Sequence, residues 1–478
     1  MDSLRSNARK TIRKIVTGTF AALLMASHVS AADMQESTDS YGPFGTLHIY
    51  QTSDHPSHVV LFVSGDGGWD PVAIDIARSL AELDIVLVGI DITHYIEHLN
   101  ASNDKCSYAA AQFEGLSQYL QKKYEFANYI PPVLVGHSSG AAMVYATLAQ
   151  SPANTFAGAI SLGFCPDLKT DTPFCKGNGT LASKPDPQLG FIYESVASLP
   201  APWVVLQGDI DQICTSAATR IFTTKVANAQ LVELPKVGHG FSVQTNWMPQ
   251  FKAAFQQIVT EQQSGDALEH KEGAISDLPL VELPAADKSD TLAVVVSGDG
   301  GWASLDKQIG ETLRNDGISV VGLDSLHYFW DKKTPDIASK DLARILLYYS
   351  QAWGASKFIL VGYSRGADTL PFMISRLPEE LKSKVITVAL LGMEADVDFE
   401  FHVSDWLSSG GKGEHKTIPE VQKLAGMNVL CIYGSDEDHS ACTQLSKSAA
   451  TVVEMPGGHH FGGDYEKLAA IILEHYRQ

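Results

Sequence analysis

Short, predominantly apolar runs recur along the chain: Val59–Val63, Val204–Gly208, Leu292–Val296, Ile318–Leu323, Phe358–Val361, Val385–Leu391 and Val429–Tyr433. None alternates polar with apolar residues, so these are predicted strands buried on both faces, as in a parallel sheet covered by helices. Longer stretches between them carry apolar residues at helical spacing. Ser304–Asn315 is predicted helical and stops before Gly317. Thr334 and Pro335 have the chemistry of an N-cap and first helical residue for a helix through Gln351, and Asp464–Arg477 is a terminal helix. Thr46–Gln51 and Leu278–Leu283 are predicted as early strands of two successive sheets.

The pattern occurs twice. Val59–Trp69 (VVLFVSGDGGW) returns as Leu292–Trp302 (LAVVVSGDGGW), and Val88–Tyr95 (VGIDITHY) as Val321–Tyr328 (VGLDSLHY), at one offset of 233 residues (59 to 292, 88 to 321). Pro132–Gly140 (PVLVGHSSG) is matched by Phe358–Gly366 (FILVGYSRG). A repeat of this length makes each copy a domain of ordinary size. The fold expected is α/β: two tandem α/β-hydrolase-like domains, each a mostly parallel sheet flanked by helices. Their boundaries are read as 41–263 and 278–478, with a polar linker at 264–277.

Residues 1–31 fall outside this pattern. Five Lys/Arg precede the apolar run Ile15–Met25 and then Val29-Ser30-Ala31, which is the layout of a cleaved secretory signal peptide. The expected location is therefore periplasmic. Net charge is −20, which argues against a nucleic-acid partner. Six cysteines lie beyond the leader, an even number that permits disulfides in an exported protein, with Cys431 also readable as a buried free thiol. No CxxC pair or HExxH appears, so neither a metal nor another cofactor is expected.

The candidate chemistry sits at the duplicated G-x-S-x-G. Phe358–Val361 runs into Gly362-Tyr363-Ser364-Arg365-Gly366 with small helix-forming residues behind it, the strand–turn–helix context of a nucleophile elbow. Downstream, an apolar run ends in Gly434-Ser435-Asp436-Glu437, and His459 follows in a late loop. The first half repeats the order with Ser138, Asp211 and His239, an active or a retired second site. The serine-to-acid spacing is 73 residues in both halves (138 to 211, 364 to 437), which favours Glu437 over its neighbour Asp438. Matching GHGF to GHHF likewise favours His459 over His460. A histidine would take the serine's proton and a carboxylate would hold the imidazolium. Ser297–Gly301 follows the first core strand, so backbone N–H groups of Gly298, Asp299 and Gly300, with that of Arg365, are candidate oxyanion donors. The aromatic stretch Leu326–Lys333 (LHYFWDKK) fits either a bilayer-interface anchor or core beneath a loop.

SGDGGW at Ser297–Trp302, DSLHYFW at Asp324–Trp330, GYSRGADTLPF at Gly362–Phe372, FHVSDWL at Phe401–Leu407 and GGHHF at Gly457–Phe461 together resemble the VirJ/AcvB family of exported bacterial virulence-associated proteins, in its two-half layout. The resemblance implies an α/β-hydrolase fold and hydrolysis of aminoacylated phosphatidylglycerol, chiefly the lysyl form, at the membrane surface. It also implies a link to virulence-related secretion, with secretion-system components as partners. Ser364 is then the family's serine, and His459 or His460 its histidine. An anionic group would meet the lysyl ammonium, with Asp299, Asp324 and Asp368 as candidates, while a guanidinium at Arg365 would suit a phosphate. Competing readings are a non-enzymatic periplasmic binding module and a general serine esterase or lipase.

Overall fold

The computed structural model describes residues 34–478 apart from 103–104, 178–180, 270–274, 288, 402–412, 439 and 478, and no side chains at 263–269 or Ser304. The leader at 1–31 and most of FHVSDWL therefore lie outside the described residues.

The apolar runs form two sheets. In the first, Gln35–Tyr41 and Gly45–Gln51 pair antiparallel, and Gly45–Gln51 pairs antiparallel with Ile85–Ile90. Parallel strands follow across the sheet: His58–Val63, Val133–His137, Gly158–Leu162, Trp203–Gly208 and Ala229–Leu234. The second sheet repeats the order. Leu280–Leu283 lies antiparallel on Ser319–Leu323, and Thr291–Val296, Lys357–Tyr363, Val385–Leu391, Val429–Gly434 and Thr451–Met455 continue in parallel.

Alternate residues of the central strands face separate cores, which is why the runs do not alternate polar with apolar residues. Leu292, Val294 and Val296 pack under the helices Pro335–Ala352 and Arg365–Ser375. Ala293 and Val295 face the helices Ser304–Asn315 and Tyr465–Arg477. Thr334 caps its helix as its chemistry dictates, accepting from Ile337 N at 3.2 Å. The helix Met248–Glu269 extends into the stretch read as linker. Among the described residues no helix is long and apolar enough to cross a membrane.

Three disulfides form: Cys106–Cys175, Cys165–Cys214 and Cys431–Cys442. Cys431 is thus bonded and is not a free thiol. The pairing follows from the chain's course, since the loop after its strand returns Cys442 to the same buried cluster.

Residues 34–478 form one compact unit, and the aromatic stretch joins its two halves. Leu326 and Trp330 are buried with Phe401 and with Tyr129 of the first half. Trp330 Nε1 donates to the Phe126 carbonyl at 2.9 Å. Lys122 Nζ donates to the Trp330 carbonyl and lies 4.4 Å from the centre of its ring. With these groups buried, the bilayer-anchor reading of the stretch does not hold. Trp330→Ala is expected to lower stability by about 3 kcal/mol or more, measured by denaturant unfolding. A loss below about 1 kcal/mol would mean that this contact does not hold the halves together.

Candidate active site

Two elbows with one geometry stand at corresponding ends of the two sheets. Ser364 follows the strand Lys357–Tyr363 with φ 52° and ψ −121°, and Ser138 follows Val133–His137 with φ 57° and ψ −120°. Positive φ in a non-glycine residue is a strained conformation, and it lifts the hydroxyl off the sheet end. The flanking glycines make the turn sterically feasible. A Cβ on Gly362 would lie 2.4 Å from the Gly366 carbonyl oxygen, and one on Gly366 would lie 2.0 Å from that of Val296. Gly298 meets the serine from the neighbouring strand, where an added Cβ would be 3.4 Å from Ser364 Cβ. The N–H of Gly301 closes that turn onto the Gly298 carbonyl at 3.1 Å. Strand Thr291–Val296 lies between Ser319–Leu323 and Lys357–Tyr363, so the site occupies the crevice where strand order reverses.

The histidine loops converge on both serines. His459 Nδ1 lies 2.6 Å from Oε1 of Glu437, whose Oε2 accepts from Gly434 N at 2.6 Å. A carboxylate can only accept, so it fixes the proton on Nδ1 and leaves Nε2 as a base. Burial opposes the charge on Glu437, but the hydrogen bonds from His459 and Gly434 outweigh it and hold the carboxyl below its usual range. Asp438 is exposed. His460, also exposed, places Nδ1 3.0 Å from the Tyr363 hydroxyl, which itself donates to the His459 carbonyl at 3.3 Å.

In the first half the set is closed by hydrogen bonds throughout. His239 Nε2 lies 2.9 Å from Ser138 Oγ, and its Nδ1 lies 2.8 Å from Asp211 Oδ2. Asp211 Oδ1 accepts from the N–H groups of Ile213 and Cys214 at 2.9 Å each, and Gln207 donates to Oδ2 at 3.0 Å. No such bond joins Ser364 Oγ to His459. A serine–histidine bond that tightens only with substrate bound is common, so this difference alone does not rank the halves.

The surroundings do separate them. Ser364 lines a cleft of about 1330 Å³ that draws residues from both halves, and Ser138 is not among them. Eight acidic residues line it against two basic ones, Lys307 and Arg365. Arg365 is buried and turned inward. Its guanidinium pairs with Asp299 and donates to the carbonyls of Asp398 and Glu400 at 2.8 and 2.9 Å. It is therefore bound to protein groups and does not stand open to a phosphate. Asp368 is buried and accepts from Glu394 N at 2.7 Å, and burial pushes its carboxyl well above the usual range. Asp324 caps Ser325–Tyr328, accepting from His327 N at 3.1 Å and Trp302 N at 3.2 Å, and does not line the cleft. Gly300 is exposed at its rim.

Some site residues escape a motif reading. Gly163 and Gly392, at φ 65° and 63°, cradle the two histidines, and a Cβ on Gly392 would lie 2.8 Å from the His459 ring. The duplicated Leu-Gly after a strand (Leu162-Gly163, Leu391-Gly392) is the available signal. Glu114 lines the second half's cleft from a first-half helix. Its signal is an acid on the helix face that carries Ala110, Ser117 and Gln121, all buried.

Solved structures that resemble the chain include ferulic-acid-bound Est1E from Butyrivibrio proteoclasticus, at 14% identity and TM-score 0.32, covering 42% of this chain and 96% of that one. An α/β serine hydrolase without lid from Xanthomonas campestris matches at 18% and 0.31, covering 48% and 94%. Dienelactone hydrolase from Anabaena variabilis matches at 18% and 0.32, covering 48% and 96%. No curated protein matches the chain significantly. The family profile described as "Bacterial virulence protein (VirJ)" matches residues 57–174 and 290–478, a segment in each half and together more than half of the chain. On that match, and with an elbow serine, an acid and a histidine in both halves, the protein belongs to the VirJ family of bacterial virulence proteins.

Proposed function

We propose that the protein is a serine hydrolase that cleaves the aminoacyl ester of aminoacyl-phosphatidylglycerol, with the lysyl lipid as substrate. The observation that carries this reading is the His459–Glu437 pair beside an elbow serine in a predominantly acidic cleft. His459 takes the proton from Ser364 Oγ as it attacks the ester carbonyl. Glu437 holds the imidazolium, and the N–H groups of Asp299 and Arg365 receive the oxyanion. Phosphatidylglycerol leaves first with a proton from His459, and water then releases the amino acid from Ser364. An acidic lining suits a cationic acyl group. Work at the periplasmic membrane surface, after removal of the leader, agrees with three disulfides, which persist in oxidising compartments.

Purified protein mixed with lysyl-phosphatidylglycerol vesicles should release free lysine and phosphatidylglycerol. Absence of release, with no serine labelled by a fluorophosphonate probe, would favour a non-enzymatic binding module. Hydrolysis of simple acyl esters alone would favour a general esterase.

The closed set Ser138–His239–Asp211 supports a second reactive serine. Ser138→Ala is expected to remove one of two fluorophosphonate labels and to leave lysine release within about threefold of wild type, because Ser138 lies outside the acidic cleft. Loss of lysine release in this variant would transfer the main reaction to the first half.

A further inference from the structure

The first half contributes a carboxyl group to the second half's site. Glu114 lies within the helix Ala109–Lys123, among buried Phe113, Leu116 and Ser117, and is itself only 9% exposed. It lines the cleft that contains Ser364. Its Oε1 lies 3.9 Å from where a Cβ on Gly300 would stand, in the same turn that brings Gly298 against the serine. Among the described residues no donor hydrogen-bonds to it and no cation pairs with it.

The Glu114 side chain is buried, but its carboxyl oxygens are not sealed off and open onto the cleft, where no protein group pairs with them. Where such a group faces a ligand cleft, the missing partner belongs to the ligand. The groups that act on Glu114 are Asp324, whose charge adds to its own, and the hydroxyls of Tyr108 and Tyr129. Of the two basic side chains that line the cleft with it, Arg365 is held by Asp299 and two carbonyls, and neither Arg365 nor Lys307 pairs with Glu114. All of this favours a positive ligand group. Asp306 lines the same cleft with Oδ1 unpartnered, and burial pushes its carboxyl well above the usual range.

We propose that Glu114 is the specificity residue that receives the ammonium of the aminoacyl group while the ester lies between Gly298 and Ser364. This rests on the aminoacyl-ester reading of the Ser364 cleft. It gives the first half a task at that site independent of any turnover at Ser138. Burial, reinforced by Asp324, pushes the free carboxyl up to about 8, so an ammonium must displace a proton to bind at neutral pH.

The test compares full-length wild type with Glu114→Gln and Glu114→Asp on lysyl- and alanyl-phosphatidylglycerol and on p-nitrophenyl butyrate, an uncharged ester. Glu114→Gln should raise KM for the lysyl lipid about tenfold or more, the worth of one hydrogen bond to a charged group, with kcat and butyrate hydrolysis nearly unchanged. Glu114→Asp should recover part of the loss. Loss confined to the lysyl lipid assigns Glu114 to the side-chain ammonium, and loss on both lipids assigns it to the α-ammonium. Wild-type KM for the lysyl lipid should fall as pH rises toward 8, and Glu114→Gln should lack this slope. An unchanged KM, or an equal loss on butyrate, overturns the proposal while the hydrolase reading stands. A wild type that ignores both aminoacyl lipids but cleaves butyrate overturns the substrate reading as well.

Discussion

Ser364→Ala is expected to reduce lysine release from lysyl-phosphatidylglycerol by about 10⁴-fold or more, the usual cost of removing the nucleophile of a serine hydrolase. The fold should be unaffected. Ser364 Oγ makes no hydrogen bond among the described residues, and the turn is shaped by Gly362, Gly366 and Gly298. Alanine at φ 52° is strained about as serine is, so thermal unfolding of the variant should coincide with wild type. Labelling should persist only at Ser138. Near-full lysine release by the variant would move the chemistry to the first half, whose serine is already hydrogen-bonded to its histidine at 2.9 Å.

The second large effect separates two adjacent acids. Glu437→Gln should lower kcat by roughly 10³- to 10⁴-fold, whereas Asp438→Asn should stay within about threefold. Glu437 meets His459 Nδ1 at 2.6 Å and is anchored by Gly434 N, while Asp438 is exposed to solvent. A glutamine side chain matches that shape, but its amide cannot stabilise an imidazolium. If its NH₂ faces the ring it also forces the wrong tautomer, with the proton on Nε2. Kinetics on the two purified variants decide the matter, and the reverse ranking would give the acid role to Asp438.

Much of this site could be read in order along the chain, because its parts are set by local rules. Predominantly apolar runs specify strands buried on both faces, and the glycines around Ser138 and Ser364 are demanded by backbone approaches within a few residues. The shared 73-residue spacing pointed to Glu437, the acid found at His459, because both halves share one strand order. Tertiary packing decided what residue type alone leaves open. LHYFWDKK has a composition suited to a membrane interface or to a core, and only the approach of Phe126, Lys122 and Tyr129 buries it between the halves. Arg365 sits beside the nucleophile in sequence, yet two carbonyls and Asp299 turn its guanidinium inward. Cys431 needed the return of a loop to find Cys442. Glu114 belongs to no motif. It lies 250 positions from Ser364 (114 to 364), and its position at the cleft comes from one half packing on the other, a long-range event that no local pattern records.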